Sequence, residues 1–343
     1  MTTHLEPATR PHPRHFLDKA MAFQPSKMVL AGLEVGLFDL LAEAPATEPV
    51  IRERLGLHAR GTGHFLDALV ELGMLDRDDD VFRNSQAAEF FLVPSHDEYM
   101  GGLLHMANRV MYPAWGRLAE ALRTGRPQAA TYTGDAMFEQ LYESDEKRVD
   151  FIGMAEAASK PLIPALIERF DWSARTLVVE LGGCRGNVLA QLVQAHPHLD
   201  GTVLDLPQLR PAFDEHMVTL GTTGTVRFEG GDFFASIPEA EVMMIGHSLI
   251  DWEDAQRRQL LANAFAALKP GGAFLIWDPI IVEGEEGYLR NLVTSLNLQL
   301  MTPHGTGYRL EECVEWLTDA GFATVSHLSL GHDVTLVIGH KAA

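Results

Sequence analysis

The stretch TLVVELGGCRGNVLAQLVQA, Thr176 to Ala195, reads as a β-rich run, a turn with glycines at 182, 183 and 186, and a helix from Asn187 to Ala195. Three glycines after a strand let the backbone turn sharply and lie against a ligand. The alternation continues downstream. GTVLDL is a strand, Gln208 to Leu220 a helix, VRFEGGDFF a strand and turn, VMMIGHSL a strand, Asp254 to Leu268 a helix and AFLIWDPI a strand. Such an order implies parallel strands joined by crossover helices, hence a Rossmann-like, doubly wound α/β domain. Ligands in these sheets bind at the carboxyl ends of the strands, where GGCRG, Asp205, Asp232 and GHSLIDW all fall.

Working back toward the N-terminus, the pattern becomes helical. From Lys19 to Ala44 the residues Met28, Ala31, Val35, Phe38 and Leu41 recur at three- and four-residue spacing and predict an amphipathic helix. Glu48 to Leu55 and Thr62 to Leu72 follow as two short helices, then LDRDDDVFRNS as a hairpin with an acidic tip. Together they spell a winged helix. Its second helix offers only His64, Asp67 and Glu71 as polar-charged groups, so a dimerisation module is expected rather than a DNA reader. Long apolar helices at Tyr99 to Arg123 and Val149 to Phe170 complete a mostly α N-terminal domain over 14–170, with the catalytic domain over 171–343. Residues up to about Pro13 read as a disordered arm.

Composition narrows the partners. The 343 residues carry 27 Lys plus Arg against 47 Asp plus Glu, a formal charge of -20, which repels nucleic acid and anionic membrane surfaces. Cys184 and Cys313 are too few for a disulfide framework, and MTTHLEPATRPHPRH lacks the apolar stretch of a signal peptide. A cytoplasmic protein is expected. No apolar run approaches the ~20 residues that cross a bilayer.

The ordered motifs ELGGCRG, LDLP, GGDFF, SLIDW and LKPGG resemble those of class I S-adenosylmethionine (SAM)-dependent methyltransferases, specifically small-molecule O-methyltransferases with a winged-helix dimerisation domain. The resemblance runs from about Lys19 to the C-terminus and implies a homodimer. It also implies that Glu180, Gly182 and Gly183 lie along the methionine moiety, Asp205 and Leu206 at the ribose, and Asp232 and Phe233 at the adenine, with Trp252 shielding its face. Cys184 and Arg185 depart from the family's glycine loop.

Two further departures touch the chemistry. The family's catalytic histidine precedes the Asp-Trp pair, where this chain has Ile250, and the glutamate that braces it falls at Tyr308. His247 and His304 bracket the expected acceptor position, and neutral imidazoles suit a divalent metal such as Fe or Zn. Asp278 could complete the ligand set or orient a ligand from behind. This pattern resembles metal-dependent 2-oxo-acid C-methyltransferases, and implies methylation of the carbon beside the ketone of a phenylpyruvate-like or branched-chain 2-oxo acid in secondary metabolism. A chelated 2-oxo carboxylate is acidified at that carbon, so no strong protein base is needed. Arg109, in an apolar stretch, would clamp the carboxylate or else snorkel to solvent. Three rivals stand beside this reading: an O-methyltransferase with His247 or His304 as base, a SAM-binding hydroxylase or decarboxylase on the same scaffold, and a SAM-binding regulatory dimer.

Overall fold

The computed structural model describes residues 13–96, 99–129, 138, 142 and 144–343. The expected N-terminal arm falls on residues 1–12, outside that set. The chain divides into two compact units, one ending at Arg109 and the other beginning at Val110.

In the first unit the single helix expected over Lys19 to Ala44 is three: Pro13–Ala20, Phe23–Glu34 and Leu37–Glu43. Gly36 is the reason for the second break, since its φ of +74° is a left-handed conformation that ends one helix and redirects the next. The winged helix is present. Helices Glu48–Arg54 and Ala59–Glu71 precede a hairpin of β2 (Leu75–Asp78) and β3 (Val81–Asn84), and β1 (Ala46–Thr47) pairs with β3. Arg60 and Gly61 are non-helical, so regular helix starts at Thr62 as the sequence predicts. Leu37, Phe38, Ile51, Leu66, Leu69 and Leu75 form the core of this unit. Each such side chain contributes about 1.5–3 kcal/mol when taken out of water.

The long helix expected from Tyr99 to Arg123 is also broken. It runs as Gly101–Met106, a π-turn at Ala107–Met111, Tyr112–Trp115 and Leu118–Thr124. Likewise Val149 to Phe170 is the helix Asp145–Ser159, a 3-10 turn at Lys160–Leu162 and the helix Ile163–Arg169, with Pro161 and Pro164 at the joints.

The second unit is built on a seven-stranded sheet in the order β6-β5-β4-β7-β8-β10-β9. β4 (Leu177–Leu181), β5 (Asp200–Asp205), β6 (Val226–Gly230), β7 (Ala240–Gly246) and β8 (Leu268–Asp278) are parallel. β9 (Thr324–Gly331) and β10 (Val334–His340) are antiparallel additions at one edge. Alternation along each strand sorts its side chains to two cores. Val178, Met244 and Leu275 face the helices Asn187–Ala195, Arg210–Leu220 and Ile163–Arg169. Val179, Met243 and Phe274 face Asp254–Ala267 and Leu310–Ala320. With strand order reversing on either side of β4, the crevice opens where β4 and β7 end, at Gly182 and at Gly246. Among the described residues no helix is long and apolar enough to cross a membrane.

Candidate active site

At those strand ends lies a cavity of about 360 Å³. The loop after β4 enters it with three left-handed residues, Gly182 at φ +66°, Cys184 at +55° and Gly186 at +79°. Cys184 has no glycine's freedom, so its conformation costs strain that the surrounding hydrogen bonds must hold. Its N–H donates to Asp205 Oδ2 at 2.8 Å, and the Leu206 N–H donates to Oδ1 at 2.7 Å. Asp205 thus ties the glycine loop to the end of β5. Burial pushes its carboxyl up to about 6 in spite of those two bonds. Glu180 is more perturbed, raised to about 8 by burial, with a backbone bond at Leu189 opposing and the charge of Asp205 adding. A Cβ at Gly183 would stand 2.7 Å from the Glu180 carboxyl, so only glycine lets the loop lie over it.

The far end of the cavity is aromatic. Trp252 packs edge-on against Phe233 and Phe234 at centroid distances of 5.8 and 4.7 Å, and tilts against Phe138 at 5.6 Å. Asp232 lines the same end, its Oδ1 accepting from the Phe234 N–H at 2.8 Å. Glu180, Gly182, Gly183, Asp205, Leu206, Asp232, Phe233 and Trp252 therefore all line one cavity.

Four buried polar atoms of its wall have no hydrogen-bond partner among the described residues: Glu180 Oε2, His247 Nε2, Trp252 Nε1 and Trp277 Nε1. Orphans of this kind are rare in folded proteins, and here they converge on one space. A molecule offering an ammonium and a carboxylate at one end, ribose hydroxyls in the middle and a flat base at the other fits the donors, acceptors and aromatic faces present. SAM is such a molecule.

The residues expected to carry chemistry do not assemble as the sequence suggests. His247 lines the cavity, in a left-handed conformation of φ +51°. Burial pushes its imidazole down to about 4, against a hydrogen bond to the Ala158 backbone. His304 is absent from the lining, and its Nδ1 lies 3.9 Å from Glu253 Oε2 with the side chain 30% exposed. Asp278 is fully buried behind the wall, accepting a 2.6 Å hydrogen bond from the Tyr308 hydroxyl. Among the described residues no three His, Cys, Asp or Glu side chains form a group able to hold a metal. The expected Fe or Zn site finds no support: Asp278 accepts from the backbone N–H groups of His247 and Ile250, while His304 lies against Glu253 outside the cavity lining, and a chelate needs its donors on one point. Arg109 is exposed at the π-turn ending the first unit, so the argument from a buried cation does not apply.

Where the family's histidine would stand, Ile250 is buried, and the group beside it in the cavity is Asp251. Burial, with the like charge of Asp278, raises Asp251 to about 8 while the Arg257 charge opposes. Sequence reading passed over this residue because the Asp-Trp pair drew attention to Trp252 and to the histidine missing before it. Arg257 was missed too. It is 3% exposed, its Nε donates to Leu249 O at 3.0 Å and its Nη2 to Ile250 O at 3.3 Å and to Thr306 O.

An O-methyltransferase domain model matches residues 115–323, and an O-methyltransferase dimerisation domain matches 17–94. The chain is 41% identical over 331 residues to the tetracenomycin polyketide synthesis 8-O-methyl transferase TcmO of Streptomyces glaucescens, covering 96% of this chain and 97% of that one. It is 36% identical over 323 residues to the N,N-dimethyltransferase OxyT of Streptomyces rimosus, covering 94% and 93%. The structure superposes on human N-acetylserotonin methyltransferase in complex with SAM with a TM-score of 0.84, 26% identity, and coverage of 98% and 100%. The resemblance to 2-oxo-acid C-methyltransferases finds no support among these relatives. With both domain models matched and full-length relatives at this identity, the chain is a SAM-dependent methyltransferase and belongs to the O-methyltransferase family.

Proposed function

We propose that the protein methylates a phenolic oxygen on an aromatic polyketide, with Asp251 taking the proton. The observation that carries this is Asp251 itself, a carboxylate at the cavity wall with its acidity shifted to about 8, next to the position where the family keeps its histidine. A base works best when its pKa lies near the operating pH. The substrate class follows from the likeness to the Streptomyces glaucescens enzyme across nearly the full length of both chains.

SAM supplies an electrophilic methyl on a positively charged sulfur. The protein's part is to orient and to accept a proton. Glu180 and Asp205 present carboxylates to the ammonium and ribose ends, and Phe233 and Trp252 enclose the base. A phenol brought to the same cavity becomes nucleophilic as its proton passes to an Asp251 oxygen. Its neighbour His247 is a second acceptor, favoured by the unpartnered Nε2, though an imidazole held near 4 binds a proton weakly. Incubation with SAM separates the readings by product: O-methylation of polycyclic phenols is expected, and methylation of a 2-oxo acid on carbon, with phenols untouched, would overturn the proposal.

Asp205→Ala tests the cofactor placement. Removing the acceptor strands the Cys184 and Leu206 N–H groups and any ribose donor, so SAM affinity is expected to fall by about 1.5–3 kcal/mol. Calorimetry giving wild-type affinity in the folded variant would refute it.

The matched dimerisation domain begins at residue 17, and around its start Phe16, Leu17, Met21 and Phe23 are 46–73% exposed. An apolar cluster of this size on a free monomer is disfavoured. A homodimer follows, and light scattering that returns the single-chain mass of 37.8 kDa at micromolar concentration would rule it out.

A further inference from the structure

We infer that the ion pair between Arg185 and Glu156 is a latch that sets how long cofactor and product stay in the cavity. The inference rests on the reading that this cavity holds SAM.

Arg185 belongs to the glycine loop, between the left-handed Cys184 and Gly186. Its Nε and Nη2 donate to the two carboxylate oxygens of Glu156, a bidentate pair with side chains 33% and 21% exposed. Glu156 projects from the helix Asp145–Ser159, whose Phe151, Ala155, Glu156 and Ser159 line the cavity. That helix forms one wall of the cavity. Its C-terminal end continues through Lys160–Leu162 into Ile163–Arg169, where Leu162, Ile163 and Leu166 are sunk in the sheet core. Along its own length only Ile152 is buried among the described side chains, helped by edge contacts of Phe151 with Phe138 and Tyr142. Glu156 stands in the last turn of the helix, just before that anchored stretch, and the pair fastens the wall there to the glycine loop, the two sides between which the cofactor would lie.

Charge supports the same role. Five carboxylates and one guanidinium line the cavity among the described residues, and that guanidinium is Arg185. Paired, it neutralises Glu156 and closes the wall onto the floor. Parted, it frees the helix to lift and the methyl-depleted product, which has lost the sulfonium charge, to leave.

The test is the dissociation rate of S-adenosylhomocysteine from the full-length protein, followed by stopped-flow tryptophan fluorescence. Glu156→Gln and Arg185→Met are each expected to speed release by roughly three- to tenfold, the range for a partly exposed, bidentate pair. Reversing both charges, Arg185→Glu with Glu156→Arg, should restore slow release to within about twofold. High salt should accelerate release from the wild type and leave Glu156→Gln unchanged, because screening acts on a pair already broken in the variant. Unchanged rates in both single variants, or a reversed double variant as fast as the singles, would overturn the latch. Wild-type protein that fails to bind the probe, or binding indifferent to Asp205→Ala, would instead remove the cofactor reading beneath it.

Discussion

Asp251→Asn is expected to lower turnover by on the order of 10²–10⁴-fold, the contribution of a positioned general base, while leaving SAM affinity within a few-fold of wild type. Asparagine keeps the size and hydrogen-bonding shape of the carboxylate but cannot take a proton. His247→Gln should cost much less, since a neutral imidazole pushed to about 4 would hold a phenolic proton poorly. The pH profile gives an independent readout. A base must be ionised to act, so activity carried by Asp251 rises as pH climbs through a midpoint at or below about 8, the positive sulfonium drawing that midpoint down. Activity carried by His247 would be flat between pH 6 and 9, because that group is already unprotonated throughout. Equal losses in both variants with a flat profile would sink the assignment to Asp251.

The α/β half of the fold was legible because strand and helix periods alternate cleanly from Thr176 to Asp278. Its last hairpin was not. β9 and β10 turn through His332 and Asp333, both left-handed at φ +51° and +61°, a geometry usually announced by Asn-Gly. In the helical half, amphipathic spacing ran across Gly36 and the 160–164 prolines, so continuous periodicity concealed breaks made by single residues. The gathering of the cofactor candidates around one cavity was readable because loop glycines and strand-end carboxylates sit close in sequence to the strands that position them. The chemistry was not, since whether His304 meets His247 depends on where the loop after the helix Tyr288–Met301 returns. Adjacent residues also parted: Arg258 lies on the surface with Asp254, Glu315 and Asp319, whereas Arg257 shares the inward face of its helix with Leu260, Leu261 and Ala264. The 257, 260, 261, 264 spacing was the available signal.

Arg257→Met should be the most destabilising single change in the catalytic unit, by about 3–5 kcal/mol, the cost of removing a buried charge whose partners stay behind. Three carbonyls, of Leu249, Ile250 and Thr306, would lose a donor in a dry environment, the first two keeping the backbone N–H groups of Trp252 at 3.4 Å and Thr306 at 2.9 Å. The guanidinium also stacks 4.8 Å from the Tyr308 ring and 5.3 Å from Trp316, so methionine of similar length gives up packing as well. Lysine rescues little, because one ammonium cannot bridge three carbonyls and stack on two rings. The expected drop in Tm is roughly 6–20 °C, and a loss under about 2 °C would refute the structural role. The same side chain supplies the positive charge that offsets burial at Asp251 and Asp278. Its removal should therefore move the rise of the pH–activity profile to higher pH in whatever fraction stays folded, a shift that simple loss of stability would not produce. Ile250 and Tyr308 occupy the positions of the family's base and brace. Arg257 bonds both the turn that holds Leu249 and Ile250 and the loop that holds Thr306, so under the proposed assignment it braces the turn that carries Asp251.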